Sequence, residues 1–405
     1  MASDAAAMII FDDGRSHLGP MTDLRAAFEV RSGMHTTARR LAGAFPRMLS
    51  AYWVPPRLAP LVAQRADAPV NQLPGDELIL CVNGRLALPD ALPMPEPGEA
   101  VIESGTDDIV AACLRRADAE YMLRTGTLGE RVRRRSHPSR VLYRFPWDLI
   151  AMLEGALRYD LDRVVMPDAQ VVRNHAEVCG GYAVGADVSA RIMPGVTFDA
   201  ELGPVYIGPR ATIRPGSVII GPAAIHCDAV VLDRAVIRPG TVVGPACKVA
   251  GEVSMTIMQG RSNKAHDGFV GHTWIGKWVN LGAGTVTSNL LNTYSPISMR
   301  IDVGGARHRT GQTFLGAILG DHVKTAIQTR LMTGSCIGTG SMLASTAAPP
   351  ATVGPFTWLT DDGIRTFRLE KFLETMHAVM GRRGIIPDPV YIETVTKLHQ
   401  QVAAP

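Results

Sequence analysis

From residue 207 an aliphatic side chain returns at every sixth position through Ile207, Ile213, Ile219, Ile225, Val231, Ile237, Val243 and Val249. The phase resumes at Ile275 and Leu281, and again at Leu319, Leu331, Ile337 and Leu343, with Thr325 filling the one polar slot. Glycine often follows the aliphatic residue, as in Ile207-Gly208, Val243-Gly244, Leu281-Gly282 and Ile337-Gly338. A six-residue period matches neither the helical repeat nor the simple alternation of a long strand. It predicts a coil of three short parallel strands per turn, in which each sixth side chain enters a narrow triangular interior and stacks on its equivalent three hexads later. The register breaks over residues 250–274 and 290–317, and long excursions from a rigid coil are where function concentrates.

Ahead of the coil the pattern changes. Residues 7–11 (AMIIF) read as a buried strand that stops at Asp12-Asp13-Gly14-Arg15, and residues 77–82 read as a second strand ending in Asn83-Gly84. Helix-like apolar spacing runs over 25–41, 107–123 and 145–157, and behind the prolines at 349–355 over 366–381 and 390–402. Three regions are therefore expected: an α/β domain over 1–165, the coil over 166–350 and a helical tail over 351–405.

Composition adds limits. With 46% hydrophobic and 20% charged residues the chain reads as an ordinary soluble protein, and a net charge of +3 is too slight to argue for nucleic acid or a membrane. The run at Arg131, Arg133, Arg134 and Arg135 reads as a solvated face or a local basic site. The six cysteines form no CxxC pair, so no zinc site or disulfide framework is expected, and reduced, cytoplasmic thiols fit best. The opening MASDAAAMIIFDDGR has too short an apolar stretch for a signal peptide or a membrane span.

Candidate chemistry gathers in residues 263–289, where His266 precedes Asn280 inside the repeat. A neutral imidazole titrates near working pH and can take the proton that an attacking amine loses. It can equally be a structural histidine.

The opening FDDGRSHLGPMT resembles, in shortened form, that of sugar-phosphate nucleotidyltransferases, matched at Gly14, Arg15 and Pro20-Met21-Thr22. The resemblance implies a nucleotide-binding set of Asp12, Gly14, Arg15 and Asn83. The family's lysine falls at Ala27, with Arg25 or Arg31 as substitutes, and Arg85 stands where the family's Asn-Gly-Asp motif places its metal aspartate. No metal ligand is assigned, and Mg2+ is expected only if nucleotidyl transfer is retained. The same glycine turn also reads as nothing more than the end of a strand.

The hexads resemble the left-handed parallel β-helix of acyltransferases, the hand coming from the resemblance alone. Residues 252–289 are similar to the acetyltransferase half of the bifunctional enzymes that acetylate glucosamine 1-phosphate and couple it to uridylate. Lys264-Ala265-His266 stands for the family's Lys-Ala-Gly-His, and Asn280-Leu281-Gly282-Ala283-Gly284-Thr285 and Asn289 match its second motif. The resemblance implies His266 as base and Asn280 orienting the sugar amine. It assigns Arg238, Glu252, Lys264 and Asn289 to the sugar phosphate, and Ala283, Lys324 and Thr325 to acetyl-CoA. Lys324, one place before the inward Thr325, is expected to point outward, either toward a CoA phosphate or as an ordinary surface lysine. A homotrimer with sites in the clefts between prisms is also implied.

Three family side chains are exchanged: a phosphate-binding lysine for Ser254, a tyrosine for Phe269 and a further lysine for Ser295. Each exchange removes a contact worth about 1–3 kcal/mol, so the acceptor stays open, with Arg261, Lys264, Arg300 or Arg307 as other phosphate holders. The expected function is acetyl-CoA-dependent N-acetylation of an amino-sugar phosphate, with or without coupled nucleotidyl transfer from a nucleoside triphosphate. The alternatives are a sugar-phosphate nucleotidyltransferase whose coil only trimerises or binds ligand, and a non-catalytic sugar-nucleotide-binding scaffold.

Overall fold

The structure is a computed structural model that describes residues 7–45, 48–92, 94–173 and 176–403. Residues 1–6 of the opening MASDAAAMIIFDDGR lie outside the described residues. The chain forms two compact units: one from the chain up to Leu18 with 24–30 and 35–145, the other from 19–23, 31–34 and 146 onward. The helices Pro146–Ala151 and Leu153–Arg163 thus group with the coil.

The first unit is built on a six-stranded mixed sheet. Its strands are β1 (Ala7–Phe11), β2 (Leu49–Trp53), β3 (Leu78–Asn83), β4 (Glu99–Glu103), β5 (Ile109–Arg115) and β6 (Arg133–His137), in the order β2-β1-β3-β5-β4-β6. β1 lies parallel to β2 and β3, and its five residues are all buried, as a central strand covered on both faces requires.

Two expected helices differ. Over 25–41 only Thr37–Ala44 is α-helical, preceded by a 3-10 turn at Ala27–Glu29. There the Ala27 N–H donates to the Asp12 carboxylate at 2.8 Å and the Ala26 N–H to Glu29 at 2.8 Å, so side chains take the backbone donors that a helix ladder would use. Over 107–123 the apolar run at 109–114 pairs antiparallel with β3 as β5, and the helix starts only at Arg116.

The second unit is a parallel β-helix. Val205 pairs with Ala223 and Ala223 with Thr241, while the inward Ile207, Ile225 and Val243 stack in one column at 0% exposure. Residues 250–274 were expected to leave the coil, and they do not. Val242 pairs with Ile257, Lys248 with Asn263 and Val253 with Val270. The turns here are shorter because residues are lost while the inward positions are kept, so a strict hexad count loses phase although the stacking continues. Residues 290–317 do leave it: Trp274 stacks on Ile318, and the loop between carries an antiparallel pair, Ser298–Met299 with His308–Arg309.

The segment at 31–34 packs with this unit rather than with the first. The Arg31 N–H donates to Gln259 Oε1 at 2.7 Å, and the fully buried Trp274 donates its indole N–H to the Arg31 carbonyl at 3.2 Å. Behind the coil come the helices Leu369–Gly381 and Pro389–Ala403, the first burying Phe372, Met376 and Met380. No helix among the described residues is long and apolar enough to cross a membrane.

Truncating an inward residue opens a cavity that the rigid stack cannot collapse. Ile225→Ala is expected to lower stability by about 2–5 kcal/mol, read as a shift in the urea midpoint; an unchanged midpoint would contradict close packing of the column.

Candidate functional site

Coil register decides which way each candidate faces. Asn263 pairs with Asn280, so the corner at 265–268 lies on the corner at 282–285, and Gly284 N–H donates to the Asp267 carbonyl at 3.2 Å. His266, exposed, therefore stands beside Ala283, whose carbonyl accepts from Gln328 N–H at 2.6 Å on the following coil. Gly268 makes this approach possible. Its φ is +126°, and a Cβ there would lie 2.3 Å from the Thr285 carbonyl oxygen.

Lys264 occupies the inward column, pairing with Val249 below it and lying under Leu281 above. Only 3% exposed, it donates its ammonium to the His266 carbonyl, and burial pushes its pKa down to about 8 against the opposing pull of Asp267. Expected at the sugar phosphate, Lys264 instead braces the corner that carries His266. Thr325 also turns inward: its hydroxyl accepts from Gly282 N–H at 2.9 Å and bonds Thr285 at 2.9 Å, which leaves no side-chain group for a coenzyme. Lys324 faces the outer side, as its register demands, yet its ammonium donates to the carbonyls of Trp278 at 2.6 Å and His322 at 3.1 Å. Burial brings its pKa down to about 7, with Asp321 pulling the other way.

Asn280 lies on that outer face with Lys324, away from the edge that holds Asn289. Its Oδ1 accepts from Asn263 Nδ2 at 3.2 Å, and Asn263 Oδ1 accepts from the Arg383 guanidinium at 2.7 Å. Arg383 also donates to the Ala246 carbonyl at 2.8 Å. The helix Leu369–Gly381 and this face border a cavity of about 530 Å³ lined by Lys248, Arg261, Lys324, Arg382 and Arg383 with Asn263, Asn280 and Trp278 and, among the described residues, by no carboxylate. Arg261 rests over the Trp278 ring at 5.5 Å.

The remaining candidates sit on the neighbouring face and its far edge. Arg238 pairs with Glu252, both about half exposed, so the contact itself adds little stability. Asn289 contacts His272, Nδ2 to Nδ1 at 2.9 Å, and His272 stacks on Phe314 at 5.2 Å. Burial pushes the His272 imidazole down to about 4, so it is neutral at pH 7 and its Nδ1 accepts the Asn289 N–H. The sequence reading missed His272, because nothing in its spacing sets it apart; it takes Arg382 and Arg383 for surface residues, with CoA phosphates across an interface as the lesser alternative, and their fold-back onto this face of their own chain is tertiary.

In the first unit Gly14, at φ +66°, makes the turn after β1. Asp12 is 7% exposed, with its two oxygens accepting from the N–H groups of Gly14 and Ala27, and burial raises its pKa. It anchors the turn. Asn83 is fully buried and donates to Asp13 at 2.9 Å and to the Ile109 carbonyl at 2.8 Å. Arg15 donates to the Gly126 carbonyl at 3.2 Å on the rim of a cavity of about 590 Å³. Neither Arg25 nor Arg31, the substitutes for the family lysine, lines that cavity.

A divalent metal does not fit here. Arg85 is buried at the position of the family's metal aspartate and donates to both Asp13 and Asp108, so its guanidinium holds the carboxylates a metal would need.

Residues 8–166 match the sequence model of the sugar nucleotidyl transferase family. The bifunctional protein GlmU of Methanococcus vannielii is 33% identical over 201 residues, 49% of this chain and 42% of its own. The bifunctional sugar-1-phosphate nucleotidylyltransferase/acetyltransferase of Sulfurisphaera tokodaii is 32% identical over 139 residues, 34% of each chain. The solved structure of the polysialic acid O-acetyltransferase OatWY is 15% identical, covers 47% of this chain and 86% of its own, and has a TM-score of 0.22, too low to carry an argument. The chain thus spans less than half the length of the curated relatives it matches. Within that span the resemblance to the bifunctional nucleotidyltransferase/acetyltransferase family holds.

The unfolded imidazole of His272 titrates near its ordinary value of about 6.5, well above its folded value of about 4. Between these values the unfolded chain binds more protons, so stability rises with pH across the window and is lost as pH falls through it. His272→Gln is expected to flatten this slope by on the order of 1–3 kcal/mol in urea melts at stepped pH; an unaltered slope would place the imidazole in water.

Proposed function

We propose that the β-helix unit is an acetyl-CoA-dependent N-acetyltransferase acting on an amino-sugar phosphate of the glucosamine-1-phosphate kind, with His266 as general base. The observation that carries this reading is the exposed His266 on a corner fixed from inside by Lys264 and stacked on Ala283. His266 would accept the proton that the sugar amine loses as its nitrogen bonds the acetyl carbon and the coenzyme sulfur departs. The N–H groups of Gly282 and Gly284 are already given to Thr325 and Asp267, so the Ala283 N–H is the corner donor that would meet the oxyanion. The relatives' names point to the same chemistry.

The carboxylate-free cavity behind the corner suits the polyphosphate end of CoA. Arg261, Arg382 and Arg383 supply fixed charge there, and Trp278 supplies an apolar wall. Lys324 is a weaker candidate for the same phosphates, because two carbonyls hold its ammonium. On the acceptor side, Arg238 is the remaining cation beside Ser254, and the neutral His272 turns the Asn289 amide so that its oxygen is free for a donor such as an amine. A homotrimer working in the cytoplasm completes the reading, with the outer face of a neighbouring prism closing the acceptor cleft. Sugar-1-phosphate nucleotidyl transfer does not follow from the first unit, where Arg85 replaces the metal aspartate.

Two measurements test the proposal. His266→Ala is expected to cut acetyl transfer, followed as thiol release with a panel of amino-sugar phosphates, by roughly 10²–10⁴-fold while sedimentation shows the same oligomer; an undiminished rate removes His266 from the chemistry. Arg382→Ala is expected to raise KM for acetyl-CoA by about 10-fold or more with little change in kcat, and equal effects on both constants would move the phosphates elsewhere.

A further inference from the structure

Asp13 faces the cavity of the first unit, yet none of its acceptor capacity is left for a ligand. Oδ1 accepts from the Arg15 N–H at 3.0 Å and from Arg85 Nε at 3.2 Å. Oδ2 accepts from Asn83 Nδ2 at 2.9 Å and from the second guanidinium nitrogen of Arg85. A carboxylate offers about four lone-pair sites, and here all are taken by protein donors. Arg85 itself is 1% exposed, bonds Asp108 at 2.9 Å and the Tyr143 carbonyl at 3.2 Å, and so satisfies its fork entirely inside the protein. Burial alone would make the guanidinium easier to deprotonate, but Asp13 and Asp108 outweigh it and hold the charge.

The same charge acts in the opposite sense on Asp13. Burial raises the carboxyl pKa, and the Arg85 cation with its hydrogen bonds brings it below the ordinary value. The cluster is therefore an ionised Asp13 carboxylate with a permanent, covalently tethered counter-cation that also bonds Asp108. Its cavity lies at the carboxyl ends of β1 and β2, the usual place for a ligand in an open α/β sheet. Arg15 and Arg124 stand on the polar side, Arg124 also paired with Glu120 at 2.9 Å, and Trp53, Pro55 and Met122 form an apolar wall. Arg15 also lies 3.9 Å from Asp108, which places a second guanidinium beside that carboxylate at the rim.

We propose that the first unit binds a nucleoside triphosphate in this cavity without a divalent metal, the buried Arg85 guanidinium, with Arg15 at the rim, taking the metal's place as the cation held between Asp13 and Asp108. The phosphates meet Arg15 and Arg124 directly, and the base lies against Trp53. A protein that keeps its counter-cation by a covalent bond binds its nucleotide equally well whether or not Mg2+ is present.

The test titrates the full chain with ATP, GTP, CTP and UTP by calorimetry, once in excess EDTA and once in excess MgCl2. At least one nucleotide is expected to bind with dissociation constants that agree within about threefold between the two buffers, less than the tenfold that one strong contact carries. Wild-type protein is also expected to leave the free Mn2+ electron paramagnetic resonance signal undiminished. Binding that requires Mg2+, capture of Mn2+ by the wild type, or no binding by any of the four overturns the proposal. Arg85→Asp places a third carboxylate beside Asp13 and Asp108, and this variant is expected to bind Mn2+ and to make nucleotide binding metal-dependent. A folded Arg85→Asp protein without Mn2+ affinity counts against the substitution of guanidinium for metal; if the variant does not fold, the wild-type comparison decides alone. None of these readouts depends on acetyl transfer, so this inference and the proposed acyl chemistry stand or fall separately.

Discussion

Stacking of one inward side chain per strand on its equivalent in the next coil is the constraint from which the rest of the second unit follows. Once Ile207, Ile225 and Val243 are in one column, every neighbouring residue has its direction assigned. A residue at the inward position must be apolar or must find a partner inside, because an unpaired polar group there would cost several kcal/mol. Thr325 meets the demand with two hydroxyl contacts. Lys264 meets it by reaching a backbone carbonyl at the corner. The polar exceptions in the column are therefore also the struts of the corner that presents His266.

The first unit solves a comparable problem with one buried arginine. Three backbone segments meet where β1 ends, β3 ends and β5 begins, and each contributes to the cluster: Asp13, Asn83 with Arg85, and Asp108. Breaking such a buried ion pair from one side is costly, because the other charge is left without water or partner. The cluster accordingly has two properties at once, a rigid floor to the cavity and a counter-cation fixed at synthesis.

Much of this was legible in the sequence, and the failures have physical causes. The hexad period gave the coil and its inward column because that period is a direct imprint of stacking. It failed at 250–274, where turns shorten and the count slips although Lys248 still pairs with Asn263. The direction of Lys264 was hidden for the same reason. The substitution at Arg85 was visible as a departure from a motif, but its bonds to Asp13 and Asp108 are tertiary. His272 and the fold-back of Arg383 onto Asn263 depend on residues far apart in the chain, and no local pattern announces them. The helix expected over 107–123 fell to strand pairing, since an apolar run of that length suits either element until its neighbour is known.

The segment at 31–34 sets the order of events in biosynthesis. Its partners Gln259 and Trp274 lie 228 and 243 residues further along the chain. On a ribosome this piece emerges early and waits, without its final neighbours, until most of the coil has been made. Contacts of such long separation are the last to form and the slowest to search for. The connection through 31–34 thus acts as a late closure: the sheet of the first unit can assemble as it is synthesised, whereas the β-helix unit is finished only when a strip of chain made well before it is laid back onto it.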